Sequence, residues 1–95
     1  MKVRIRALAR QDMNAILEHS VGEHGEARAE TYLRAIDAAL ARLADNPELG
    51  LARPSLEPTI WSFPVGEHRI FYLLLPNRLS VVRVLHKAMD VERHL

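Results

Sequence analysis

The sequence predicts an α+β domain, a β-α-α-β-β-β two-layer sandwich with a helical hairpin packed on a small antiparallel sheet and a short C-terminal helical turn. Three observations predict it. Apolar residues recur at helical spacing twice in succession, over about residues 10–21 and 26–45. Three β-rich apolar runs follow, separated by short turns. A run of period two precedes the first helix.

In order, residues 3–7 alternate, with Val3, Ile5 and Ala7 on one face and Lys2, Arg4 and Arg6 on the other. The first helix carries Met13, Ile16, Leu17 and Val21, with Gly22 and Gly25 bracketing its end. The second carries Tyr32, Leu33, Ile36, Leu40 and Leu43, padded by alanines, with Glu30 and Arg34 set for an i,i+4 pair. Asn46-Pro47 ends it, because proline disfavours the helical conformation of the residue before it. Residues 48–59, bounded or broken by Pro47, Gly50, Pro54 and Pro58, read as a loop or two turns. Residues 60–65 read as a strand weakened at Pro64, which donates no hydrogen bond. Residues 69–75 are apolar on both faces, as in a central strand covered on both sides. Pro76-Asn77-Arg78 turns the chain into the last full strand, residues 79–85.

Ninety-five residues make one domain, 1–95, with no room for a second core. Hydrophobic residues are 48% and charged residues 26%, a globular rather than a disordered balance. Cysteine is absent, which excludes disulfide and thiolate–metal frameworks. His19 and His24 are five apart, off the helical i,i+4 register, so no metal site is expected. No scattered glycine forms a phosphate loop, and no cofactor is expected. The first residues do not form an apolar leader, and no apolar run approaches the ~18–20 residues that span a bilayer. A cytoplasmic protein without membrane contact is the expectation.

Net charge is +1 and evenly divided: residues 1–45 hold seven basic and seven acidic side chains, residues 46–95 six and five. A protein that grips nucleic acid through phosphates needs a basic excess. Direct sequence-specific nucleic-acid binding is therefore not expected.

A family resemblance rests on pieces spread over essentially the whole chain. They are Asp12-Met13 with Ile16, then Asn46-Pro47-Glu48-Leu49-Gly50, then Arg53-Pro54. Next come Ser62-Phe63-Pro64-Val65-Gly66-Glu67-His68-Arg69-Ile70-Phe71-Tyr72 and Val82-Arg83-Val84-Leu85-His86-Lys87-Ala88-Met89-Asp90, with Arg93-His94-Leu95. Together, in this order, they resemble ParE toxins of the ParE/RelE superfamily, the plasmid-stabilisation toxins of bacterial toxin–antitoxin pairs. The resemblance implies inhibition of DNA gyrase by protein–protein binding, with no catalytic residue. It also implies a ParD-like antitoxin that wraps the toxin in a hetero-oligomer.

The other branch of that superfamily consists of ribosome-dependent mRNA endonucleases resembling RelE. Such cleavage needs a base, a cation and an acid at one site. Glu67, His68, Arg69, Arg83 and His86 supply the types. On an undistorted strand, however, Arg83 shares a face with Val81 and Leu85, and His86 points the other way. That parity and the paucity of lysine favour the binding toxin.

Arg83, His86, Lys87, Arg93 and His94 are the candidate target-binding residues. Arg83 has a second reading, as a strand residue paired to a local carboxylate. For His86 the bland reading is a capping or packed residue at a strand end, and for Arg93 and His94 a solvated tail. Trp61, Phe63, Ile16, His19, Leu33, Ile36 and Leu40 are the candidate antitoxin-binding residues, on the outer flanks of the helical stripes and on the weakened strand.

Overall fold

The computed structural model describes residues 1–95. Alternation makes β1 (Lys2–Ile5) a strand with one buried side: Val3 and Ile5 pack on the core, while Lys2 and Arg4 stay exposed. Helix α1 (Ala7–His24) starts immediately after Arg6, so Ala7 opens the helix rather than closing the strand. The helix also runs through Gly22, and Gly25 alone makes the break. Its φ of 84° lies in the left-handed region that glycine occupies without a Cβ penalty. Helix α2 (Glu26–Asp45) begins on the next residue and stops at Asn46, ahead of Pro47. The Glu30–Arg34 pair forms at 3.6 Å on its exposed face.

The stretch after α2 is not all loop. A 3₁₀ turn over Pro47–Leu49 leads into strand β2 (Leu51–Arg53), antiparallel to β3 (Ile60–Val65). Three residues among prolines carry too little alternation to be read as a strand. Strand β4 (His68–Leu75) pairs with β3 and with β5 (Arg78–His86). Pro64 does not interrupt the β3 register, since it lies opposite Arg69 in continuous pairing. The irregularity falls between β4 and β5. Phe71 pairs with Arg83 and Tyr72 with Val81, so Val82 is the extra residue of a bulge.

The sheet order is β1-β5-β4-β3-β2, with β4 central. Strand β1 runs parallel to β5, so the sheet is mixed rather than wholly antiparallel. The two helices cover one face. Beneath them Ile36, Leu43, Ile70, Leu79 and Val81 are wholly buried. Each large aliphatic side chain removed from water there contributes about 1.5–3 kcal/mol. A smaller cluster on the opposite face joins Ile60, Phe71, Val82 and Leu85 to Val91, with Leu56 packed against it. Val91 belongs to a second 3₁₀ turn, Val91–Arg93, so the final residues are docked and not a loose tail.

Ile36 (0% exposed) and Leu40 (7%) belong to the core under the hairpin. Both therefore leave the candidate partner face, because the α2 stripe that contains them is turned to the sheet. Trp61 packs on its own core, its ring stacked on Tyr72 with centroids 6.3 Å apart. No helix is long and apolar enough to cross a membrane.

Candidate functional site

Strand β1 stops pairing at Ile5–Val81, so the rest of β5 has no strand on that flank. Helix α1 lies beside it, and a cleft of about 520 Å³ opens between them. One wall is α1, with Asp12, Ile16 and His19. Tyr32 of α2 and the Glu67–His68 turn form the end, and β5 contributes Arg83, Val84 and His86.

Asp12 anchors the floor. Arg83 Nε donates to its Oδ2 and Arg83 Nη2 to its Oδ1, each at 2.8 Å. The same Oδ2 accepts the Val84 N–H at 2.9 Å, replacing the missing strand partner. Arg83 Nη1 donates to the His94 carbonyl at 2.8 Å, which ties down the final residues. The Arg83 side chain is 18% exposed and that of Asp12 14%. The hydrogen bonds it donates to Asp12 push the Arg83 pKa above its ordinary value, against a smaller opposing effect of burial. The local-carboxylate reading of Arg83 is thus what the structure contains. The register places Arg83 opposite Phe71, on the face away from the helices. Its long side chain nevertheless reaches round the open flank of β5 to α1. Parity along an undistorted strand counts against Arg83 and His86 sharing a site, yet both line this cleft.

At the far end, Tyr32 organises the β3–β4 turn. Its hydroxyl donates to the Val65 carbonyl at 3.0 Å and accepts the Glu67 N–H at 3.0 Å. His68 Nδ1 lies 2.6 Å from the same oxygen. Burial raises the Tyr32 pKa. Burial first, then the neighbouring His86, lowers that of His68. The His68 and His86 rings meet edge to face at 5.5 Å. His86 Nδ1 accepts the Ala88 N–H at 3.1 Å, a capping role at the strand end. Lys87 Nζ pairs with Glu67 at 2.9 Å, and that contact holds the Glu67 carboxyl below its ordinary pKa.

The structure gathers Ile16, His19, Arg83 and His86 around one cleft, mixing the two sets of candidates. Lys87 lies at its end, bonded to Glu67. Arg93 is 83% exposed, 3.8 Å from Asp90. His94 lines a separate hollow on the other sheet face. Trp61 and Phe63 sit on β3, where Arg42 lies over the Phe63 ring at 5.5 Å. Leu33 is half-buried against the core. Sequence reasoning gave Asp12 no role of its own and treated Tyr32 as packing only. Asp12 could have been found by asking which carboxylate answers an arginine flanked by valines.

A helical hairpin on one face of a five-stranded mixed sheet is a fold shared with a chain described as "Chromosomal ParDE TA system from P. aeruginosa". The TM-score is 0.78 at 19% identity, covering 90% of this chain and 95% of that one. The family model described as ParE toxin of type II toxin-antitoxin system, parDE, matches residues 3–91. Toxin ParE1 of Mycobacterium tuberculosis (strain CDC 1551 / Oshkosh) is 35% identical over 88 residues, 92% of this chain and 90% of that protein. Toxin ParE1 of Caulobacter vibrioides is 28% identical over 92 residues, covering 97% and 95% respectively. The chain belongs to the ParE toxin family.

Proposed function

We propose that this ParE toxin inhibits DNA gyrase by protein–protein binding and is neutralised by a ParD-like antitoxin. One observation carries the binding character of the reading: the strongest cation in the cleft is already spent. Each nitrogen of Arg83 already holds one bond, Nε and Nη2 to Asp12 and Nη1 to the His94 carbonyl, and its charge is paired, which counts against a role in stabilising a transferring phosphate. What remains accessible is a mixed apolar and polar groove along a strand flank, with Ile16, His19 and Met89 at its rim. Met89 is 41% exposed there. An amphipathic antitoxin segment fits such a groove, by apolar contact along its floor and polar contact with the histidines. The exposed His86, Lys87 and Arg93 are the target-facing candidates that remain on the surface.

A gyrase supercoiling assay tests the reading. Purified toxin at micromolar concentration is expected to block supercoiling, and added antitoxin to restore it. Unaffected supercoiling would argue against the proposal.

The mRNA endonuclease stays as a second reading because of one observation: Glu67, His68, His86 and Arg83 line a common cleft. It requires Asp12 to release Arg83. Cuts in translated messages after induction, mapped by primer extension, would favour it.

A further inference from the structure

The charges that balance along the sequence separate in space. The five strands carry Lys2, Arg4, Arg53, Arg69, Arg78 and Arg83 and not one acidic residue. The carboxylates lie on the helices, turns and connections.

Four cations gather at one corner of the sheet, on the face away from the helices. Lys2 lies opposite Arg78, and Arg4 opposite Ser80. Arg6, just past β1, donates from Nε to Ser80 Oγ at 2.8 Å, which places it on the same side. Val3 and Ile5, between them, point into the core under the helices. On β4 the same rows continue with Leu75 opposite Arg78 and Leu73 opposite Ser80, an apolar floor beside the charges. Lys2, Arg4 and Arg6 are exposed and Arg78 is half-buried.

None of the four is paired. The ion pairs of the chain involve Arg34, Arg83, Lys87 and Arg93. Arg78 Nε is buried with no hydrogen-bond partner. An unpaired buried donor of that kind costs free energy. Glu57 and Glu92 line the adjoining hollow with Arg6 and make no salt bridge to it.

Charged side chains on an edge strand often serve only to prevent edge-to-edge pairing. That accounts for Lys2 and Arg4 on β1. It does not account for Arg78, which lies on an interior strand and leaves its Nε unanswered.

We propose that this corner binds the phosphodiester backbone of a nucleic acid, without reading its bases. Alternate residues of β1 stand about 6.6 Å apart, at a rise of ~3.3 Å per residue. Lys2, Arg4 and Arg6 thus form a row of evenly spaced positive charge, with Arg78 as a second rank beside it. The arginine fork matches a phosphate's two free oxygens. No exposed aromatic ring lies among the four for a base to stack on, so contact is to the backbone alone. The proposal stands whether or not gyrase is the target.

Fluorescence anisotropy with labelled 20-mer duplex DNA and its single strand, across a salt series, tests it and separates the two forms. About four phosphate contacts predict a log–log salt slope near −3.6 for duplex and near −2.8 for a single strand. The doubly substituted Lys2→Gln/Arg4→Gln protein, changed only at exposed positions, is expected to lose about half that slope and at least tenfold in affinity at 50 mM salt. Arg34→Gln, on the helical layer, is expected to leave binding unchanged, and thermal melts confirm that each variant is folded. Absence of binding at low salt, or equal binding by the double variant, overturns the proposal. So does displacement of the DNA by a polyglutamate peptide at equal charge, which would make the corner an acidic-peptide site.

Discussion

Asp12 grips Arg83 with both carboxylate oxygens at 2.8 Å and accepts the Val84 N–H at 2.9 Å. One short side chain thus joins the first helix to the last strand where no neighbouring strand exists. Removing it strands a mostly buried guanidinium and a backbone donor together. Asp12→Ala is expected to cost about 3 kcal/mol in urea unfolding. Asp12→Asn, which keeps an acceptor for Val84, is expected to cost about half as much. A double-mutant cycle with Arg83→Ala checks the link, and strictly additive losses would contradict it.

Acid is expected to weaken the β3–β4 end of the cleft through His68. Burial and the nearby His86 hold its pKa below the ordinary value, and Glu67 opposes them only in part. The unfolded chain takes up this proton near pH ~6.5, the folded chain only at lower pH. Between those points the unfolded state binds more protons. Stability therefore falls as pH drops through about 6.5, and this contribution levels off below the folded pKa. Glu67, whose pKa is depressed by Lys87, titrates below this window. Urea midpoints at pH 7.5 and 5.5 are expected to differ less in His68→Gln than in the parent. An unchanged difference would remove His68 from the account.

Two glycine substitutions are expected to move stability in opposite directions. Gly66 has φ 54°, and a Cβ there would lie 2.7 Å from the Tyr32 ring. Gly66→Ala strains the turn and pushes on the hydroxyl that binds Val65 and Glu67. A loss of about 2–3 kcal/mol is expected. Gly22 lies inside α1 with nothing within 4 Å of such an atom. Gly22→Ala is expected to stabilise by about 1 kcal/mol, through helix propensity alone. Thermal unfolding of the pair reads both signs.

Exposed cleft residues and packed aromatics are expected to behave differently when the antitoxin is added. His19 is exposed on the cleft wall. His19→Glu is expected to weaken antitoxin binding by about tenfold, or ~1.4 kcal/mol, with the melting temperature unchanged. Trp61→Ala is expected to lower stability by about 2 kcal/mol, since half of a ring stacked on Tyr72 is lost from the core. Calorimetric titration beside thermal melts separates the two effects.

Substitution probes the final residues more cleanly than deletion does. Deleting residues 91–95 removes Val91 from its cluster and the His94 carbonyl from Arg83, so folding and function would fall together. Arg93 is 83% exposed and its 3.8 Å pair with Asp90 is a surface contact. Arg93→Ala is expected to spare stability while reducing gyrase inhibition several-fold. Full inhibition by this variant would take Arg93 off the target surface.

Period and punctuation made most of the fold legible. The α2 stripe, Asn46-Pro47 and the three apolar runs placed α2 and β3–β5 almost residue for residue. Strand β2 escaped because Leu51–Arg53 is too short to show alternation between Gly50 and Pro54. The site was less legible, for physical reasons. Strand parity is a rule about Cβ directions, and arginine is long enough to reach past it at an open flank. The extra residue at Val82 also shifts the alternation, putting Val81 and Val84 in one cluster and Val82 and Leu85 in the other. Linear charge balance hid the basic corner, because only strand register shows that Lys2, Arg4, Arg6 and Arg78 share a side.

We infer that this toxin acts by occupying a partner and not by turning over a substrate. Titrating it into a fixed amount of gyrase during supercoiling tests that most directly. Inhibition is expected to rise with toxin until the binding sites are filled, then to plateau, and to be reversed by an equivalent of antitoxin. Supercoiling that persists at every ratio, with transcripts cut on ribosomes by trace amounts of the same preparation, would contradict it.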